Sequence, residues 1–246
     1  MDPDAFLHQE AIDCHAEVRL ADLPDDERTG ALELVPGARS IIVLAKEIPV
    51  QVYSLPAKVR TGRMFEIAGN VDMVARRLAG CLNAEDIRSA PVPLILPIRI
   101  AGGRVQGLIR LKKIAAWGGL ETIGDNSLLI SPRFGTRLAL GGVVTALDAG
   151  RTAAPLAKDL CGSCGRCTRA CPGGAIAPDG VDAFRCRNIT SYIPPSLGPV
   201  AKWLLNRQLL QTIAAPVAER IARHATMRCS LCVTVCPCFE NGEKPQ

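Results

Sequence analysis

The residues best equipped for chemistry in this chain are cysteines. The stretch CGSCGRCTRACP, from Cys161 to Pro172, sets four of them at C-x2-C-x2-C-x3-C, with a proline after the last. Thiolates are the ligands of iron–sulfur clusters. Three at this spacing can wrap one [4Fe–4S] cube, while the fourth sits too far along and turns away. The run therefore predicts a second set of ligands elsewhere in the chain. They are present: Cys186 follows in DAFRC, and CSLCVTVCPC supplies Cys229, Cys232, Cys236 and Cys238. Cys236 is again followed by a proline.

Two cubes need eight thiolates, and nine cysteines lie after residue 160. In the bacterial-ferredoxin run the cysteine before the proline ligates the other cluster. By that logic Cys161, Cys164, Cys167 and Cys236 hold cluster A, and Cys171, Cys186, Cys229 and Cys232 hold cluster B. Cys238 is left over and is the nearest competitor of Cys236. A pair of zinc sites is the alternative, since C-x2-C pairs also suit tetrahedral zinc. Zinc sites, however, rarely use a C-x2-C-x2-C-x3-C-P run. Cys14 and Cys81 lie apart and read as ordinary buried thiols.

The N-terminal MDPDAFLHQE is acidic, with no apolar leader core and no twin arginines. A cytoplasmic location is expected, where reducing conditions leave cysteines to bind metal rather than each other. Charge is uneven. Residues 1–150 carry 17 Lys and Arg against 18 Asp and Glu, and residues 151–246 carry 12 against 6. A basic cluster half would steer an acidic electron donor such as ferredoxin or flavodoxin. The plainer reading is that these cations offset the negative charge of two thiolate-ligated clusters. Aromatic residues make up only 4% of the chain, so base stacking is not a theme and no nucleic-acid partner is expected. The apolar segment 200–224 carries Lys202, Arg207, Glu219, Arg220 and Arg223, which excludes a membrane span.

The elements that must position the cysteines come before them. A short helix is expected over 4–14 and a short strand over 17–23, with 22–29 loop-like. Ser40–Ala45 is a continuous β-branched run, the pattern of a strand buried on both faces. Residues 47–64 read as irregular. Phe65–Asn83 carries Ile67, Val71, Val74, Leu78, Cys81 and Leu82 at helical spacing. Extended segments follow over 91–98 and 99–107, then a helix over 108–117 closed by Gly118 and Gly119. Strands over 127–131 and 137–147 flank a Pro132–Gly135 turn. Residues 151–160 are a linker, and 200–224 read as one or two helices. Such alternation argues for an α/β layer fold.

These pieces together resemble the iron–sulfur, cobalamin-using family of epoxyqueuosine reductase and the reductive dehalogenases. ARSIIVLA (38–45) is similar to the family's first core strand. LKKIAAWGGLETIGDNSLLISPRFGTRLALGGVVT (111–145) resembles its alanine-rich helix, glycine passage, strand, Pro-x-x-Gly turn and strand toward a threonine. The cysteine order, with Asp182–Cys186 and the final C-x2-C-x3-C-P, completes the match. The resemblance implies an α+β fold. An α/β nitroreductase-like layer domain (1–150) would precede a bacterial-ferredoxin-like two-cluster domain (151–246). It implies low-potential electrons passing through two [4Fe–4S] clusters to a corrinoid (cobalamin) at the domain junction, with a flavin as the lesser cofactor alternative. Candidate contacts to that group are Gly118, Gly119, Gly124, Asn126 and Ser127, because glycines admit close backbone approach. Lys112, Lys113 and Arg137 are further candidate contacts. A tight turn packing helix to strand would explain the same glycines.

The departures shape the expectation. The family's acidic proton donor has no counterpart in GGRVQGLIRLKK, which holds no carboxylate between Gly102 and Lys113. The helical-repeat extension for tRNA and the twin-arginine signal of the dehalogenases are not seen. The expectation is a compact cytoplasmic relative, not epoxyqueuosine reductase itself, with no catalytic residue assigned. The alternative is a reductive activator that serves a separate corrinoid protein or other redox partner and holds no cofactor beyond its clusters. His8, His15 and His224 read as surface or core histidines, and Tyr192 as packing.

Overall fold

The structure is a computed structural model. It describes residues 2–94, 98–101, 104–120, 122–148, 159–177, 180–190 and 226–241, together with 196, 199, 200, 203 and 207. His224, Tyr192, the boundary at 150/151 and most of the expected 200–224 helix lie outside the described residues.

The central strand is β2 (Ser40–Glu47). It pairs antiparallel with β1 (Cys14–Arg19) on one side and with β8 (Leu138–Thr145) on the other. β3 (Ser89–Pro91) completes the sheet in the order β1-β2-β8-β3. The apolar run of β2 is buried on both faces as expected, but in an antiparallel sheet with helices on each side. Ile41 and Val43 enter a core shared with α2 (Asp25–Leu34) and α5 (Leu111–Trp117). Ile42 and Leu44 enter the opposite core, with α1 (Pro3–Gln9), α3 (Val50–Tyr53) and α4 (Ala57–Ala84). All four side chains are 0% exposed, and burial of each such side chain stabilises the fold by about 1.5–3 kcal/mol. In β8 the pair Gly141-Gly142 serves both faces. A Cβ on Gly141 would meet Val71 of α4 at 2.7 Å, and one on Gly142 would meet Leu111 of α5 at 2.7 Å.

Several local expectations are corrected. The N-terminal helix stops at Gln9, because Ala11 takes a left-handed φ of 52° and the chain turns into β1. Residues 25–34 are a helix, not a loop. Their charged run Asp25, Asp26 and Glu27 forms a first turn whose carboxylates favour the helix dipole. Residues 57–64 extend α4 backward to Pro56, since proline suits a helix start and not its interior. Cys81 is exposed rather than buried, because it lies one residue, about 100°, off the stripe that buries Leu78 and Leu82.

Short hairpins complete the described residues: β4 (Ile98–Ala101) with β5 (Arg104–Gly107), β6 (Thr122–Ile123) with β7 (Leu129–Ile130), and β9 (Ile176–Ala177) with β10 (Gly180–Val181). The helices in or beside the cysteine runs are short: α6 (Arg166–Ala170), α7 (Arg187–Thr190) and α8 (Leu231–Thr234). Among the described residues no helix is long and apolar enough to cross a membrane.

Candidate metal centre

The first cysteine loop is tightly wound. Gly162, Ser163 and Gly165 take left-handed φ values of 52°, 43° and 70°. Asp159 fixes the entry by accepting from the Cys161 amide (2.9 Å) and the Gly162 amide (3.1 Å). Cys161, Cys164, Cys167, Cys236 and Cys238 line one recess. Asp125 and Asn126, from the turn between β6 and β7, and Ile130 of β7 complete its lining. Burial pushes the Cys236 thiol up to about 11, with Cys238, Cys161 and Cys164 adding to the effect and a backbone hydrogen bond opposing it.

A second neighbourhood lies around Cys232. Burial pushes this thiol up to about 11, and the nearby Cys229, Cys186, Cys171 and Cys167 raise it further. Asn188 brackets Cys229: its Nδ2 donates to the Cys229 carbonyl and its Oδ1 accepts from the Cys229 amide, both at 2.9 Å. Asn126 Nδ2 donates to the Cys232 carbonyl at 2.7 Å. The Ala175 amide donates to Cys171 Sγ at 3.3 Å. Among the described residues no three Cys, His, Asp or Glu side chains meet as around a single ion. The donor chemistry does fit iron–sulfur clusters. Crowded, part-buried thiols resist ionisation, and cluster iron supplies the positive charge that makes them thiolates.

Cys238 is 1% exposed and packs with Ile130 and Leu160. Its Sγ donates to the Leu160 carbonyl at 3.6 Å, and its own carbonyl accepts from the Thr136 amide at 3.1 Å. Gly135, at φ +56°, presses against this turn. A Cβ there would lie 2.0 Å from the Cys238 carbonyl oxygen.

The five glycine-passage candidates have separate surroundings. A Cβ on Gly118 would meet Ala16 and Val18 of β1 at 2.7 and 2.9 Å. One on Gly124 would meet Asn126 and Ile130 at 3.0 Å, so packing alone accounts for both glycines. Asn126 is 6% exposed and committed to Cys232. Gly119 and Ser127 are half-buried with left-handed φ values of 73° and 58°. Ser127 O accepts from Lys112 Nζ at 3.0 Å. The Lys112 side chain reaches solvent, yet enough protein encloses it to lower its pKa below the usual lysine value, against the opposing pull of Cys232.

Arg137 is not a cofactor contact. It is 3% exposed and bonded to Glu47 and to the carbonyls of Ile48, Phe239 and Glu240. Arg110 is paired with Asp26 and with the buried Glu27 (2.5 Å), and Lys113 lies 3.9 Å from the same Glu27. His15 Nε2 sits 2.6 Å from Asp4 Oδ1, and His8 is exposed at the end of α1. Residues that sequence reasoning missed are Asp159, Asp125 and Asn188. Asp159 had a signal, a turn-forming Asp two positions before a loop cysteine. The reach of Asn188 to Cys229, 41 positions away, had none.

Residues 160–238 match the family model described as a 4Fe-4S double cluster binding domain. This segment is a double-cluster iron–sulfur domain. The double-cluster domain and the sheet before it extend the likeness to longer proteins. The chain is 28% identical over 222 residues to epoxyqueuosine reductase of Gloeobacter violaceus, covering 87% of this chain and 60% of that one. It is 32% identical over 174 residues to the Synechococcus sp. (strain RCC307) protein of the same name, covering 65% and 49%. The chain thus spans about half to three-fifths of these curated relatives. Among solved structures it shares the fold of epoxyqueuosine reductase from Streptococcus thermophilus, with a TM-score of 0.62, 16% identity, and 99% of this chain and 66% of that one covered. Another epoxyqueuosine reductase of the same fold, solved with an epoxyqueuosine-modified tRNA stem loop, gives a TM-score of 0.62 at 19% identity, with 97% and 65% covered.

Proposed function

We propose that the chain is an iron–sulfur oxidoreductase that carries low-potential electrons through two [4Fe–4S] clusters to a corrinoid. The corrinoid would lie where an N-terminal unit (1–150) meets a C-terminal unit (151–246). What supports this is the gathering of eight cysteines into two neighbourhoods with one turn, Gly124–Ser127, between them. Bound there, the clusters supply one-electron transfer at potentials tuned by burial and by hydrogen bonds to sulfur. Cys161, Cys164, Cys167 and Cys236 would hold cluster A, and Cys171, Cys186, Cys229 and Cys232 cluster B. Asn126 and Asn188 hold the backbone of Cys232 and Cys229 and so orient their sulfurs. Ile130, Leu160 and Cys238 keep one wall apolar and exclude water.

The corrinoid reading rests on the sequence resemblance. With Gly118 and Gly124 engaged in packing and Asn126 in the Cys232 bond, Gly119, Ser127 and Lys112 remain as its candidate contacts among the described residues. One observation favours a second reading. The stretch between Gly102 and Lys113 holds no carboxylate, and its Arg110 is locked to Asp26 and Glu27, which suits a reductive activator serving a separate corrinoid protein. Either way the electron donor would be acidic, of the ferredoxin or flavodoxin kind, and binding would weaken as salt rises. A cytoplasmic site of action and the lack of a nucleic-acid partner are parts of the same proposal. A tRNA stem loop that bound in a pull-down would overturn the latter.

The deciding experiment is anaerobic reconstitution, assay of iron and sulfide, then an electron paramagnetic resonance titration with cob(II)alamin. Eight irons and a changed cobalt signal support the corrinoid reading. Eight irons with an unchanged signal favour the activator. A preparation free of iron overturns both.

A further inference from the structure

The turn Gly124–Ser127 brings opposite charges to its two sides. Asp125 lines the recess of Cys161, Cys164 and Cys167, and its Oδ1 accepts from Ser163 Oγ of the cysteine loop at 3.2 Å. Two residues on, the Ser127 carbonyl holds Lys112 Nζ at 3.0 Å. Between them Asn126, which also lines the recess, holds the Cys232 carbonyl at 2.7 Å. The charge of Asp125 is felt at Cys167, and that of Cys232 at Lys112.

Resting on the two-cluster reading above, we propose that Asp125 and Lys112 give electron flow its direction. Asp125 lowers the reduction potential at the Cys161, Cys164 and Cys167 set, and Lys112 raises it at the Cys232 set. Each uptake adds one electron, taken from a ferredoxin- or flavodoxin-class donor that is oxidised by one, with no bond made or broken. The added negative charge is repelled by a nearby carboxylate and drawn to a nearby ammonium, and screening is weaker in a part-buried site than in water. Asp159, bonded to the Cys161 amide, adds a second carboxylate on the first side. Arg169, which donates to the Cys164 carbonyl at 3.2 Å, offsets them in part. Lys112 keeps contact with solvent, and each added electron favours its protonated form. Electrons would enter at the first set and settle at the second.

The test is a dithionite potentiometric titration of the anaerobically reconstituted full chain, followed by electron paramagnetic resonance. Wild type should hold eight irons and show two one-electron waves. Asp125→Asn should raise only the lower wave. Lys112→Gln should lower only the upper one. Each shift should approach a tenfold change in equilibrium constant, about 59 mV for one electron. Asp125→Glu and Lys112→Arg keep the charge and should leave both waves in place. Shifts on the same wave, shifts of the same sign, or no shift with eight irons retained overturn the proposal. A single wave with eight irons in wild type likewise overturns the proposal, whereas four irons overturns the two-cluster reading itself.

Discussion

Arg137 Nε donates to the Phe239 carbonyl at 2.8 Å, joining residues 102 positions apart. The same guanidinium reaches the Glu240 carbonyl at 2.7 Å, the Ile48 carbonyl at 2.8 Å and Glu47. The end of β2, the start of β8 and the turn after the last cysteines are thus tied by one side chain. Arg137→Lys, with a point charge in place of a planar fork, cannot make all four bonds. A loss of about 2–4 kcal/mol is expected, measured by anaerobic thermal unfolding, because carbonyls and a carboxylate are left unsatisfied.

Cys236 and Cys238 lie two positions apart but differ in surroundings: Cys236 is part-buried, and Cys238 is 1% exposed. Cys236→Ser should lose iron from cluster A. Cys238→Ser, at a thiol packed on Leu160 and Ile130, should retain eight irons per chain. Iron assay of both variants checks this, and the reverse outcome would exchange their roles.

Cys186 raises the Cys232 thiol and is absent from the recess of Cys161. Cys186→Ser should therefore remove about half the iron and leave the other cluster's signal intact in electron paramagnetic resonance.

Gly135→Ala sets a methyl 2.0 Å from the Cys238 carbonyl oxygen at a φ of +56°. Left-handed strain alone costs roughly 1–3 kcal/mol, and the clash adds to it. A fall in melting temperature together with faster loss of cluster colour in air is the expected result.

Glu17, on β1, has its pKa raised first by burial and next by Asp4, with His15 partly opposing. A raised carboxylate pKa means that the folded state holds the proton more tightly, so stability declines as pH rises through that pKa. Glu17→Gln should therefore stabilise the chain at neutral pH and lose its advantage below the unfolded carboxylate value of about 4.3. The gain should stay below about 1 kcal/mol, since the site is only half-buried and water screens it. Unfolding curves at two pH values decide it.

The double-cluster segment and β2 were legible because both are local patterns, cysteine spacing in one and a β-branched run in the other. α2 and the first turns of α4 were misread because prolines and charges mark helix starts as readily as loops. The role of Arg137 was hidden for a different reason. Its four acceptors lie in residues 47–48 and 239–240, and no pattern near position 137 announces contacts at that distance. Gly118 and Gly124 read equally as cofactor approach or as packing, and only their neighbours, Ala16 and Ile130, reveal the packing.

The wall of the cysteine recess contributed by Asp125, Asn126 and Ile130 bears on how the holoprotein is assembled. A chain made from its N-terminus completes β8 at Thr145 before Cys161 appears, and nascent chains tend to fold unit by unit in that order. If the N-terminal residues fold in that order, the cysteines emerge beside a surface already shaped, a jig against which iron and sulfide can be loaded. Maturation in this arrangement depends on residues that ligate nothing, and damage to the jig would surface as poor cluster loading in a chain whose nine downstream cysteines are all intact.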